Sequence, residues 1–150
     1  MNKVQTNADF ESLIVPIHQL SAVLARDADH VLQQALGLGY AQCKLIWVLR
    51  RAGQQVNQSQ IADWLNQTPA AISRQMKLLA ARGLVAIAGS ALDKRDHMIQ
   101  LTAQGEAFAD DSRAIIWRAQ QHYFADLSPA QSQQIAASFQ QVLSRICNKK

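Results

Sequence analysis

The chain has 150 residues, 49% of them hydrophobic and 17% charged, which suits one domain with its own core and excludes a disordered tail. No apolar run reaches the eighteen residues of a membrane span, and Met1 to Thr6 lack the apolar stretch of a signal peptide, so the expected location is cytoplasmic, with no membrane partner. The formal net charge is +4, and from Thr68 to Arg95 five basic side chains (Arg74, Lys77, Arg82, Lys94 and Arg95) stand against one acid, Asp93; the whole excess therefore falls in one segment, as expected of a single surface that meets phosphate.

Phe10, Leu13, Ile14, Ile17, Leu20, Leu24, Val31 and Leu32 recur at three- and four-residue spacings and predict a long amphipathic first helix ending near Gly37. Pro16 either sits in its first turn or kinks it. A second helix is expected from about Ala41 to Arg51, with Leu45, Ile46, Trp47, Val48 and Leu49 packing and Gly53 as the stop. Asn57 is the expected N-cap of a short third helix, with Gln60 at the capping-box position and Val56 packing on Ile61. After Leu65 the run Asn66-Gln67-Thr68-Pro69 reads as a turn that restarts a helix, Thr68 as N-cap and Pro69 at the first helical position; this fourth helix should reach Arg82 and stop at Gly83.

Leu84 to Ile87 and His97 to Leu101 read as two short strands joined by a Gly89-Ser90 turn and a charged tip, Asp93-Lys94-Arg95-Asp96. Thr102 caps a fifth helix carrying Phe108, Ile115, Ile116 and Tyr123. Ser128-Pro129-Ala130-Gln131 is a capping box that opens a sixth, whose stripe is Ile135, Phe139, Val142, Leu143 and Ile146.

Residues 57 to 82 have the form of a helix-turn-helix: a short helix, a tight turn, and a second helix whose first turns can enter a major groove. On the fourth helix Ile72, Met76 and Leu79 share the inward face, which leaves Pro69, Ala70, Ser73, Arg74 and Lys77 outward. Small residues let the backbone approach the groove, Arg74 has the fork for guanine, Ser73 suits a base edge or phosphate, and Thr68 at the helix N-terminus suits phosphate. Taken alone, such a face is as readily a solvated helix surface. At the hairpin tip Arg95 suits a narrow minor groove, with Lys94 beside it, and Asp93 can pair with the Arg95 guanidinium and hold its orientation.

Asp93-Lys94-Arg95-Asp96-His97-Met98-Ile99-Gln100-Leu101-Thr102-Ala103-Gln104-Gly105 resembles the wing motif of the MarR (multiple antibiotic resistance regulator) family, D-x-R followed by an apolar strand and L-T-x-x-G. Ile72-Ser73-Arg74, Leu79 and Gly83-Leu84-Val85 are similar to that family's recognition helix and its entry into the wing. The resemblance implies a mainly α fold with a small β-hairpin wing, a winged helix-turn-helix lobe at 38–101, and long dimerisation helices at 1–37 and 102–150. It implies a homodimeric DNA-binding transcriptional regulator on a pseudo-palindromic operator, in the commoner mode a repressor relieved by a small aromatic effector. Gly39 departs from the Thr or Ser cap of many relatives.

Two other readings stay in view. Some relatives sense oxidants through a cysteine, and Cys43 and Cys147 are expected as buried free thiols with no disulfide or zinc spacing. A winged module that binds protein without DNA would lose the basic face. Trp47 and Trp117 could line an aromatic pocket, although large aromatics at helical spacing are more often core. His18, His30, His97 and His122 lack paired ligand spacing, so no metal and no cofactor is expected; without a nucleophile and base, a carboxylate pair or a phosphate loop, no enzyme is expected either.

Overall fold

The computed structural model describes residues 7–89 and 98–147. In chain order they form α1 (Asn7–Leu36), α2 (Tyr40–Ala52), β1 (Val56–Asn57), α3 (Gln58–Leu65), α4 (Pro69–Ala81), β2 (Val85–Ala88), β3 (Met98–Leu101), α5 (Ala103–Gln120), a 3-10 turn (Gln121–Phe124) and α6 (Pro129–Cys147). The chain divides into two compact units, Met1–Ala119 and Gln120–Lys150.

In the first unit Leu32 of α1, Leu45 and Ile46 of α2, Ile61 of α3, Ile72, Met76 and Leu79 of α4 and Ile99 of β3 form one core, each 0 or 1% exposed. The three- and four-residue spacings that predict the helices put these side chains on single faces, and burial of those faces holds the short helices that propensity alone would not. Gly53 ends α2 in the left-handed conformation (φ 64°), and its N–H bonds to the carbonyls of Leu49 and Arg50. Pro16 lies ten residues into α1, beyond its first turn, and the helix runs through it. Proline can give no hydrogen bond to the Ser12 carbonyl, but both residues are exposed, so water can serve that oxygen.

The sheet has three strands in the order β1-β3-β2, antiparallel throughout. The hairpin is present with shifted limits: Leu84 precedes β2, which continues to Ala88 opposite Met98. Its outer strand β1, with Val56 opposite Ile99, was not legible in the sequence because two residues show no alternation. The Ser90 to His97 segment lies outside the described residues.

Thr102 holds the start of α5. Its hydroxyl donates to the Gly83 carbonyl (2.6 Å) and accepts from the Gly105 N–H (3.0 Å), while its own N–H bonds to the Leu84 carbonyl. A Cβ at Gly105 would lie 2.0 Å from that carbonyl oxygen, which explains the glycine. The Leu-Thr-x-x-Gly motif is thus a clasp between the strand β3, the end of α4 and α5.

In the second unit α6 opens with the expected capping box: Gln131 N–H donates to Ser128 Oγ (3.3 Å) and Ser128 N–H to Gln131 Oε1 (2.9 Å). Tyr123 belongs to the 3-10 turn and not to the fifth helix, which stops at Gln120. The α6 stripe is exposed from Ile135 to Ile146. Among the described residues no helix is long and apolar enough to cross a membrane.

Candidate nucleic-acid interface

The helix-turn-helix is built from the residues that cap its two helices. At α3 the Gln60 N–H donates to Asn57 Oδ1 (2.8 Å) and the Asn57 N–H to Gln60 Oε1 (3.0 Å), a closed capping box; Val56 and Ile61 beside it are both buried. Asn66 then turns the chain in the left-handed conformation (φ 50°), with the Gln67 N–H bonded to the Ala62 carbonyl. Gln58 Nε2 crosses to the Pro69 carbonyl (3.3 Å) and ties the start of α3 to the start of α4.

Thr68 caps α4 by accepting from the Ala71 N–H at 3.2 Å, with Pro69 in the first turn. That bond uses the hydroxyl oxygen as acceptor and leaves its hydrogen for an outside acceptor such as a phosphate. Thr68, Pro69, Ala70, Arg74 and Lys77 are exposed and Ser73 is half-buried, opposite the buried Ile72, Met76 and Leu79. Neither Arg74 nor Lys77 is ion-paired among the described residues. The outer face of α4 therefore combines the partial positive charge of a helix N-terminus with two cations and small side chains near its tip.

Asp93, Lys94 and Arg95 lie outside the described residues, and so does the expected pairing of Asp93 with Arg95. The base of the hairpin is described, and the clasp at Thr102 fixes it against α4 and α5.

Arg82 differs from the sequence expectation that it belongs to the basic outer face. Its Nη1 donates to the Leu36 carbonyl at the end of α1 (3.1 Å). Gly39, which lacks a capping side chain, is compensated from both sides: Asp29 Oδ1 of α1 accepts the Tyr40 N–H (2.8 Å), and Gln42 Oε1 of α2 accepts the Gly39 N–H (3.1 Å). The clue in the sequence is that α1 has no basic residue in its last turn and α2 no acid in its first, so each end needs a partner from elsewhere.

A second surface is built from α2 and α5. Trp47 packs edge-on to Tyr40 (centroids 5.8 Å apart) and donates from Nε1 to the buried Ser112 hydroxyl of α5 (2.9 Å). Arg50 reaches both carboxylate oxygens of Asp110 and lies 3.3 Å from Glu106, which lowers the Asp110 carboxyl pKa and raises that of the arginine. Lys44 sits 5.0 Å over the Tyr40 ring. Together with Arg51, Leu65 and Arg113, the residues Lys44, Trp47 and Arg50 line a cleft of about 530 Å³. Trp47 packs half-buried against the core, as expected of it, and also lines this cleft, whereas Trp117 is 65% exposed and is not among the residues lining it.

Cys43 is buried, and burial followed by the nearby Asp29 charge pushes its thiol from 9.0 up to about 12. That holds it in the unreactive protonated form. No group of three His, Cys, Asp or Glu able to hold a metal occurs among the described residues.

Residues 36–96 match the model of the MarR family. No curated protein matches the chain. Among solved structures, a cysteine-to-serine variant of MarR from E. coli complexed with operator DNA is similar at 21% identity and a TM-score of 0.70, over 89% of this chain and 97% of that one. The transcriptional regulator BldR from Sulfolobus solfataricus is similar at 16% identity and a TM-score of 0.77, over 94% and 99%. A variant of MepR from S. aureus bound to an oligodeoxyribonucleotide is similar at 25% identity and a TM-score of 0.57, over 88% and 96%.

Proposed function

We propose that this chain, whose residues 36–96 match the model of the MarR family, is a dimeric regulator of transcription that binds duplex DNA with α4 in the major groove. The observation that carries the reading is the outer face of α4, where Thr68, Pro69, Ala70, Arg74 and Lys77 are exposed around a capped helix start. Similar chains from E. coli and S. aureus were solved with DNA bound. In this reading Thr68 and Lys77 hold phosphates, Ser73 and Arg74 meet base edges beside the small Pro69 and Ala70, and the wing residues Lys94 and Arg95, with Asp93 orienting Arg95, reach the minor groove.

Dimerisation is supported by apolar faces left uncovered in the single chain. In α1 Phe10, Leu13 and Leu20 share one side and are 41 to 53% exposed, and in α6 Phe139, Val142, Leu143 and Ile146 are 41 to 61% exposed. Faces of that size on a folded chain mark a partner surface, and a twofold copy presents two α4 helices to half-sites about 10 base pairs apart.

Repression relieved by a small aromatic effector is supported by the cleft at Trp47, whose aromatic wall is rimmed by Lys44, Arg51 and Arg113. A flat anion suits such a lining.

Selection of duplexes by the purified chain from a random DNA pool tests the function. A pseudo-palindromic consensus is expected, and Arg74→Ala should bind it weaker by about 1–3 kcal/mol while relaxing the preference at one position per half-site. Recovery of no consensus would overturn the reading.

A further inference from the structure

The end of α4 remote from its exposed tip carries a contact that sequence and function leave unused. α1 stops at Leu36 with no basic side chain in its last turn, so its final carbonyls carry uncompensated partial negative charge. Gly37 turns the backbone at φ +67°, with its N–H on the Gln33 carbonyl (3.0 Å). Onto this end the Arg82 guanidinium is laid: Nη1 donates to the Leu36 carbonyl at 3.1 Å, and a Cβ on Gly37 would lie 3.3 Å from Nη1 and 3.5 Å from Nη2. The glycine makes room for the arginine, and the arginine supplies the cation and donor that the helix end lacks.

We infer that Arg82 is a positioning residue: by capping α1 from the C-cap of α4 it fixes the angle of the recognition helix to the long first helix, and thereby the half-site spacing that the dimer accepts. The inference rests on the DNA-binding dimer proposed above. A helix of 13 residues is about 20 Å long at 1.5 Å per residue, so a small rotation allowed at its C-terminal end displaces the groove-reading end by several times as much as the pinned end. Because α1 carries the uncovered apolar face, this single hydrogen bond joins the element that meets DNA to the element that meets the partner. Arg82 thus contributes to specificity while touching no nucleotide.

The test compares the unaltered chain with Arg82→Ala and Arg82→Lys on a duplex that the unaltered chain selects from a random pool, rebuilt with one or two base pairs added to or removed from the spacer. The unaltered chain should prefer the selected spacing by about tenfold or more, Arg82→Ala should reduce that preference to within about threefold, and Arg82→Lys, which keeps a cationic donor, should restore part of it. The slope of log affinity against log salt should be the same for all three. A slope smaller by about one for Arg82→Ala, with equal weakening at every spacing, would make Arg82 a phosphate contact and overturn the inference. An unchanged spacing preference in folded Arg82→Ala, with only a lowered melting temperature, would overturn it as well. Should Arg82→Ala fail to fold, the same comparison made with Arg82→Gln decides. If the unaltered chain selects no duplex, the DNA-binding reading fails and this one with it; the control chain alone separates the two failures.

Discussion

Asp29 shows how much a single carboxylate can do away from any active chemistry. One oxygen accepts the Tyr40 N–H and so caps α2, and the other accepts from Gln33 Nε2 on its own helix (2.9 Å). The position where a Thr or Ser cap is expected is occupied by Gly39 because a Cβ there would lie 2.6 Å from Asp29 Oδ1. Gly39→Ser, a favourable cap by composition, should therefore displace the Asp29 carboxylate from the Tyr40 N–H and stabilise the chain less than a new cap normally does, and should gain more in an Asp29→Ala background; denaturant melts of the double-mutant cycle read the coupling. Cys43 beneath this corner gives a second test. Its folded thiol is raised to about 12, above the unfolded value of 9.0, so its contribution to stability is complete below pH 9.0 and is lost as pH rises toward 12. Iodoacetamide at pH 8 should leave Cys43 unlabelled in the native chain and label it after unfolding, with mass spectrometry locating the adduct; rapid native labelling would restore the redox-sensing alternative.

At the scale of elements, caps and stops were the legible part. Asn57 with Gln60, Thr68 with Pro69, and Ser128 with Gln131 each stand where short-range hydrogen-bond rules put them, since the partner lies three residues away. The capping roles of Asp29 and Arg82 join residues 11 and 46 positions apart, so the helix ends show locally that a partner is needed but not which residue supplies it. The same holds for Ser112, 65 residues from the indole that it accepts from. Ser112→Ala would leave the Trp47 N–H without its acceptor, at a cost of about 1–3 kcal/mol, seen as a lowered melting temperature. Gly105→Ala should cost at least as much, because the new Cβ would meet the Leu84 carbonyl at 2.0 Å and the clasp at Thr102 would open. Strand β1 escaped sequence reading for the opposite reason, as its two residues pair only because β3 is already in place.

For the whole molecule, the formal excess of +4 falls between Thr68 and Arg95, but the structure divides those cations by task. Arg74 and Lys77 are exposed on α4, Arg82 caps α1, and Lys94 and Arg95 lie outside the described residues. Net charge found the lobe and could not find the division. The proposed dimer would cover the exposed apolar residues of α1 and α6, so sedimentation should give a dimer, and Leu143→Glu should shift it toward monomer without loss of helical content. The most direct measurement of the central claim is fluorescence anisotropy of the purified chain on the intergenic DNA beside its own gene, against a scrambled duplex, across a salt series. The account predicts tighter binding to the intergenic DNA, with log affinity falling linearly in log salt; equal, weak binding to both duplexes would contradict it.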